Sequence, residues 1–84
     1  MSLNEQRVFS EVVTILTPYV KNVEGLKTVS AKTNILQDLE VNSARLVDVV
    51  LAIEEQFSIE VADEEADAVV TVGDTVGLIM RKAV

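Results

Sequence analysis

Asp38-Leu39-Glu40-Val41-Asn42-Ser43 runs directly into Ala44-Arg45-Leu46-Val47-Asp48-Val49-Val50-Leu51-Ala52-Ile53-Glu54-Glu55-Gln56-Phe57. In the second stretch Leu46, Val49, Val50, Ile53 and Phe57 recur at helical spacing, while Arg45, Asp48, Glu55 and Gln56 fall elsewhere. Apolar residues three and four apart share one face of a 3.6-residue period, so an amphipathic helix is expected over residues 43–57. The valines would also suit a strand, but a run this long without Gly or Pro favours a helix by length. Ser43 then stands in the first turn. A hydroxyl there, among carboxylates and in a chain with no histidine, is a poor catalytic nucleophile and a good attachment point.

Working toward the N-terminus, residues 19–42 contain Gly25, several Thr and Ser, and no sustained period. A connection of that length is expected to be functional or locally structured, with Val23, Leu26, Val29, Ile35 and Leu36 pinning it to the core. Before it, Val8, Val12, Ile15 and Tyr19 keep helical spacing, widened by Phe9, Val13 and Leu16. Ser2-Leu3-Asn4-Glu5 fits a capping box for this first helix. Pro18 lacks an amide hydrogen, so the helix should end around Leu16 to Thr17.

Toward the C-terminus, Asp63-Glu64-Glu65-Ala66-Asp67 reads as the acidic first turn of a short helix, where anions meet the positive end of the dipole. Thr71-Val72-Gly73-Asp74 reads as another cap. Val72, Val76, Ile79, Met80 and Ala83 mark the apolar face of a last helix, with Arg81 and Lys82 at its negative end. Gly73 and Gly77 weaken that helix by roughly 1 kcal/mol each relative to Ala. The expected fold is all-α, a four-helix bundle of three longer helices and one short one, with a long first loop. No repeat or linker divides the chain, so residues 1–84 are read as a single domain.

Composition narrows the chemistry. Apolar residues make up 49% of the chain, enough to cover a core, and with so few aromatics that core is aliphatic. A domain of 84 residues buries only roughly 60% of its unfolded surface, which leaves a thin stability margin. Without cysteine there is no disulfide, thiolate nucleophile or thiolate zinc site, and without histidine the usual neutral-pH base is missing. Ser43 has neither a His partner nor a G-x-S-x-G elbow, which excludes a serine hydrolase. Calcium-loop counting from Asp38 puts Ser43 at the glycine position and Val49 at the bidentate Glu position; from Asp63 it puts Ala68 and Asp74 there. Both windows fail, leaving at most loose cation binding, and no metal ligand set is assigned.

The net charge of −7 is concentrated, with eleven acids and one base (Arg45) between residues 38 and 74. Such a field repels nucleic acid and anionic lipid and attracts basic partners. No signal peptide and no apolar run of about 20 residues is seen, so a cytoplasmic protein without a transmembrane segment is expected.

At this point the chain resembles the acyl carrier proteins. Asp38-Leu39-Glu40-Val41-Asn42-Ser43-Ala44 is similar to their D-L-G-x-D-S-L signature, and Ser43 falls on the serine that receives 4'-phosphopantetheine. Val47-Asp48-Val49-Val50-Leu51-Ala52-Ile53-Glu54-Glu55-Gln56-Phe57 is similar to V-E-L-V-M-A-L-E-E-E-F, and Ile59-Glu60-Val61-Ala62-Asp63-Glu64-Glu65-Ala66 to T-E-I-P-D-E-E-A. The likeness is specific over residues 35–72.

The resemblance implies a non-enzymatic, monomeric carrier of the acyl-carrier fold, with an acyl or aminoacyl group held as a thioester on an arm attached to Ser43. It implies a phosphopantetheinyl transferase as one partner, and acyl-loading, acyl-transfer or synthase enzymes with basic patches as others. Asp38, Arg45, Asp48, Glu54 and Glu55 fall where such enzymes dock. An acyl chain can enter between the helices of the family, and Val50, Val72, Gly73 and Val76 are the positions expected to leave room. Asn42 for the usual Asp, Ala44 for Leu, Glu40 for Gly and Arg45 for an acid set this chain apart. These departures imply slower modification or a dedicated transferase, and a specialised pathway rather than the housekeeping one. The competing reading is a carrier-like interaction module whose Ser43 stays unmodified.

Overall fold

The computed structural model describes residues 4–83. Four α-helices carry it: α1 (Glu5–Leu16), α2 (Leu46–Phe57), the short α3 (Asp63–Asp67) and α4 (Val72–Lys82). The four-helix reading therefore stands, as three longer helices and one short one. None of these helices is long and apolar enough to cross a membrane.

Helix α1 begins one cap later than its sequence signature implies. Asn4 is the N-cap, and its Oδ1 accepts the Arg7 N–H at 2.8 Å. The Ser2 oxygen of the expected capping box lies outside the described residues. The far end behaves as Pro18 dictates: the α-ladder stops at Leu16, and Thr17–Tyr19 continue as a single 3-10 turn. Val8, Val12 and Leu16 are fully buried, with Phe9, Val13, Ile15 and Tyr19 packed against them. α1 packs chiefly on α4, through Val72, Val76 and Ile79 on the opposing face.

The long connection is structured. Val23–Thr28 form a 3-10 helix, and a turn over residues 34–38 is closed by the Asp38 N–H donating to the Asn34 carbonyl at 2.9 Å. A short antiparallel contact then ties the connection to the start of α4. The Ile35 N–H donates to the Val70 carbonyl at 3.0 Å, the Val72 N–H to Thr33 at 3.0 Å, and the Gly73 N–H to Ala31 at 2.9 Å.

Which residues pin this connection differs from the sequence reading. Ile35 is buried, and Leu26 and Val29 lie against the core, but Val23 is 62% exposed and Leu36 39% exposed. The deep anchors are Val20, Leu39 and Val41. The reason is tertiary: the turn at Asn34 and the bridge to Thr71 rotate Leu36 outward and bring Leu39 inward.

Helix α4 carries the reciprocal cap that its sequence announces. The Thr71 hydroxyl accepts the Asp74 N–H at 3.0 Å, and Asp74 Oδ2 accepts the N–H groups of Thr71 and Val70, each at 3.0 Å. The buried face is wider than the stripe read from sequence, because Thr75 and Leu78 are buried as well. They point to the α2–α3 side, away from α1.

Candidate functional site

Ser43 is exposed and opens a 3-10 turn, Ser43–Arg45, that feeds straight into α2. The cap of this turn is Asn42. Its Oδ1 accepts the Ala44 N–H at 2.9 Å, and its carbonyl accepts the Arg45 N–H at 2.8 Å. A serine at a helix start usually serves as the cap itself. Here Asn42 does that, so the Ser43 hydroxyl is presented to solvent without a capping duty. The helix expected over residues 43–57 is thus a 3-10 turn followed by an α-helix from Leu46.

The chain reaches Ser43 through Glu40, whose φ of 55° is left-handed. Only glycine takes that conformation without steric cost. Glu40 is the position at which the resembled signature has glycine, so the backbone bend is kept although the residue that makes it easy is not. Val41 is buried directly after it and fixes the height of Ser43 against the core.

Around this point the acids have different structural roles. Asp38 Oδ2 accepts the Asn34 N–H at 2.8 Å and closes the preceding turn, while its exposed face remains open. Arg45 Nη1 lies 3.3 Å from Asp48 Oδ2, a surface ion pair one helical turn beyond Ser43. Glu54 is half-buried, and its Oε2 accepts the Val61 N–H at 2.8 Å, holding the segment after α2. Glu55 is exposed. Among the described residues, no three carboxylates converge to hold a metal ion.

Sequence reasoning missed two residues on this face. Val47 is 64% exposed and Leu51 53% exposed, one turn apart on α2. They line an open trough of about 240 Å³ that begins at Ser43 and runs between α2 and α3, past Glu54, Val61, Asp63 and Ala66. The signal was present: Val47 and Leu51 fall outside the Leu46–Val49–Val50–Ile53 stripe yet are large and apolar.

Beneath the trough is a nearly closed apolar cavity of about 20 Å³, lined by Leu46, Val50, Ile53, Val61, Ala66, Val69, Thr75 and Leu78 among others. That is room for roughly one water-sized group. Of the positions expected to leave space between the helices, Val50 lines it; Val72, Gly73 and Val76 do not. Gly73 and Val76 line a separate groove against Phe9 and Ala31. On α4 they sit on the α1 side of the helix, which the apolar spacing alone could not distinguish from the α2 side.

Comparison with known proteins agrees with this geometry. The family described as "Phosphopantetheine attachment site" matches residues 15–79. The acyl carrier protein of Picosynechococcus is 32% identical over 77 residues, which cover 92% of this chain and 93% of that protein. The mitochondrial acyl carrier protein of Neurospora crassa is 36% identical over 80 residues, 95% of this chain but 59% of that longer protein. The structure of the acyl carrier protein from Enterococcus faecalis superposes with a TM-score of 0.78 at 28% identity, covering 95% of this chain and 99% of that one. The cofactor of the family is 4'-phosphopantetheine, attached covalently, and its terminal thiol supplies the thioester on which an acyl group is carried. The chain belongs to this phosphopantetheine-attachment family, as one of its acyl carrier proteins.

Proposed function

We propose that Ser43 is the residue to which the phosphopantetheine arm is attached, and that the whole chain, residues 1–84, acts as one carrier domain. The observation that carries this is the division of labour at the helix start. Asn42 satisfies the first free amide, and Ser43 is left exposed at the tip of a rigid helix with its hydroxyl uncommitted to the cap. A phosphodiester at that point meets the positive end of the α2 dipole. The trough that starts at Ser43 gives arm and cargo a path toward the apolar cavity between α2 and α3.

The chain catalyses no step of its own in this reading. It is a monomer that a phosphopantetheinyl transferase modifies and that acyl-loading, acyl-transfer or synthase enzymes visit. Val47 and Leu51 supply an apolar centre for docking, and Asp38, Asp48, Glu54 and Glu55 supply a negative rim for basic patches. Arg45, paired with Asp48, places one positive group in that rim and so favours enzymes with an acid opposite it. Exposed ion pairs are worth about 0–1 kcal/mol each, which suits a partner that must dock and leave repeatedly. The lack of cysteine fits a reducing compartment, the cytoplasm.

Incubation with a broad-specificity transferase and a coenzyme A carrying a fluorescent group on its thiol tests the attachment. Label on the natural chain and none on Ser43→Ala is the expected result. No label with several transferases would favour an unmodified interaction module.

A further inference from the structure

Segment 58–71, with α3 at its centre, forms the roof over both the trough and the cavity. Val61 and Ala66 line the two spaces from above, and Val69 lines the inner one. Yet α3 buries none of its side chains. Ile59 and Val69 pack against the core near the two ends of the segment, and three carboxylates add polar ties to it. At one end Glu54 Oε2 accepts the Val61 N–H at 2.8 Å, and at the other Asp74 Oδ2 accepts the Val70 N–H at 3.0 Å. Between them, Glu65 Oε1 accepts the Ala62 N–H at 2.9 Å and lies 2.6 Å from Lys82 Nζ on the last turn of α4.

The end ties sit where the segment joins α2 and α4. The Glu65–Lys82 pair spans the middle. Among the described residues, the other ion pairs link positions three or four apart in the chain, whereas this one joins two helices. It is also the most sheltered of them, with the Lys82 and Glu65 side chains 32% and 28% exposed. The Lys82 contact foremost, and the Ala62 N–H after it, hold the Glu65 carboxyl below its ordinary range.

We propose that the Glu65–Lys82 ion pair is a latch on the α3 roof, and that these two positioning residues set how readily the roof lifts to let cargo from the trough widen the cavity below. The proposal rests on the reading that cargo carried from Ser43 enters between α2 and α3. Its physical basis is the separation of tasks in the fold. The aliphatic core around Val8, Val12, Leu39 and Ile79 holds the molecule together and does not depend on the pair. Breaking the pair therefore lowers the free energy of local opening of this segment without removing a core contact.

Two measurements on the full chain test this. In the unmodified protein, Lys82→Ala should speed amide exchange at Ala66, Ala68 and Val69 by about two- to fivefold, the range an ion pair of this exposure supports. Lys82→Arg should restore the natural rates. In the protein loaded with an octanoyl group, Lys82→Ala should raise cleavage of the thioester by hydroxylamine by a similar factor, and leave an acetyl thioester unaffected.

Unchanged exchange in the roof overturns the latch. Faster roof exchange with no change in octanoyl cleavage also overturns it, because access of cargo is then set elsewhere. A chain that cannot be loaded at Ser43 sinks the attachment reading instead, and the exchange rates of the unmodified protein then decide the latch by themselves.

Discussion

The Gly73 N–H donates to the Ala31 carbonyl at 2.9 Å, and a Cβ on Gly73 would stand 2.7 Å from that same oxygen. The close approach seals the long connection onto the first turn of α4. Backbone cannot move aside cheaply, since the oxygen is fixed by the hydrogen bond it accepts. Gly73→Ala is therefore expected to destabilise the protein by about 1–3 kcal/mol in urea unfolding. Gly77, one turn later, has open space where a Cβ would go. Gly77→Ala is expected to stabilise by about 0.5–1 kcal/mol. The two glycines, equivalent by propensity, thus part in sign.

Glu40 offers a second stability test, next to the functional serine. Its left-handed φ of 55° costs an L-residue about 1–2 kcal/mol, and glycine gives back part of that relief as lost chain entropy. Glu40→Gly is expected to raise stability by about 0.5–1 kcal/mol in the same urea titration. A loss of stability would show that the Glu40 side chain makes a compensating contact.

Asp74 gives the acid limb of the stability profile. The N–H groups of Thr71, foremost, and Val70 hold its carboxyl below the ordinary value of 3.8. The folded state thus binds this proton less readily than the unfolded chain. The contribution is present in full above pH 3.8 and is lost as pH falls through the lowered folded value. Glu65 adds a loss of the same sign below its ordinary 4.5. Asp74→Asn should lower stability at neutral pH and flatten the decline below pH 4, as read from melting temperature against pH.

How much of this was legible without a structure depends on whether a residue's place is set locally. α2, the short α3 and the Thr71–Asp74 cap follow from spacing and capping chemistry within a few residues. The position of Ser43 at a helix start was equally local. Leu39 and Leu36 were not separable, because their burial is decided by the bridge from Asn34 to Thr71, far away in sequence. The same holds for α4: its apolar spacing marks a buried face, but only packing shows that Val72 and Val76 meet α1 while Thr75 and Leu78 meet the cavity. Val47 and Leu51 lie outside the apolar stripe of α2 by spacing, and only the packed helix shows them exposed.

Those two residues carry the prediction for partner recognition. Leu51→Ala should change stability by less than about 0.5 kcal/mol, since the side chain is already largely in water. The kcat/KM of a loading enzyme toward the carrier should nevertheless fall about fivefold or more, the loss expected of an apolar contact at the centre of an interface. Val23→Ala is the control: it is as exposed, at 62%, but lies on the long connection, and should leave kcat/KM unchanged.

The central claim is that the Ser43 oxygen bears the arm, and mass spectrometry tests it most directly. The chain is coexpressed with a broad-specificity phosphopantetheinyl transferase and the proteolytic peptide containing Ser43 is fragmented. One phosphopantetheine on Ser43, absent from Ser43→Ala while that variant keeps its helical spectrum, is the result predicted. An unmodified Ser43 peptide, or an addition that survives in Ser43→Ala, would contradict it.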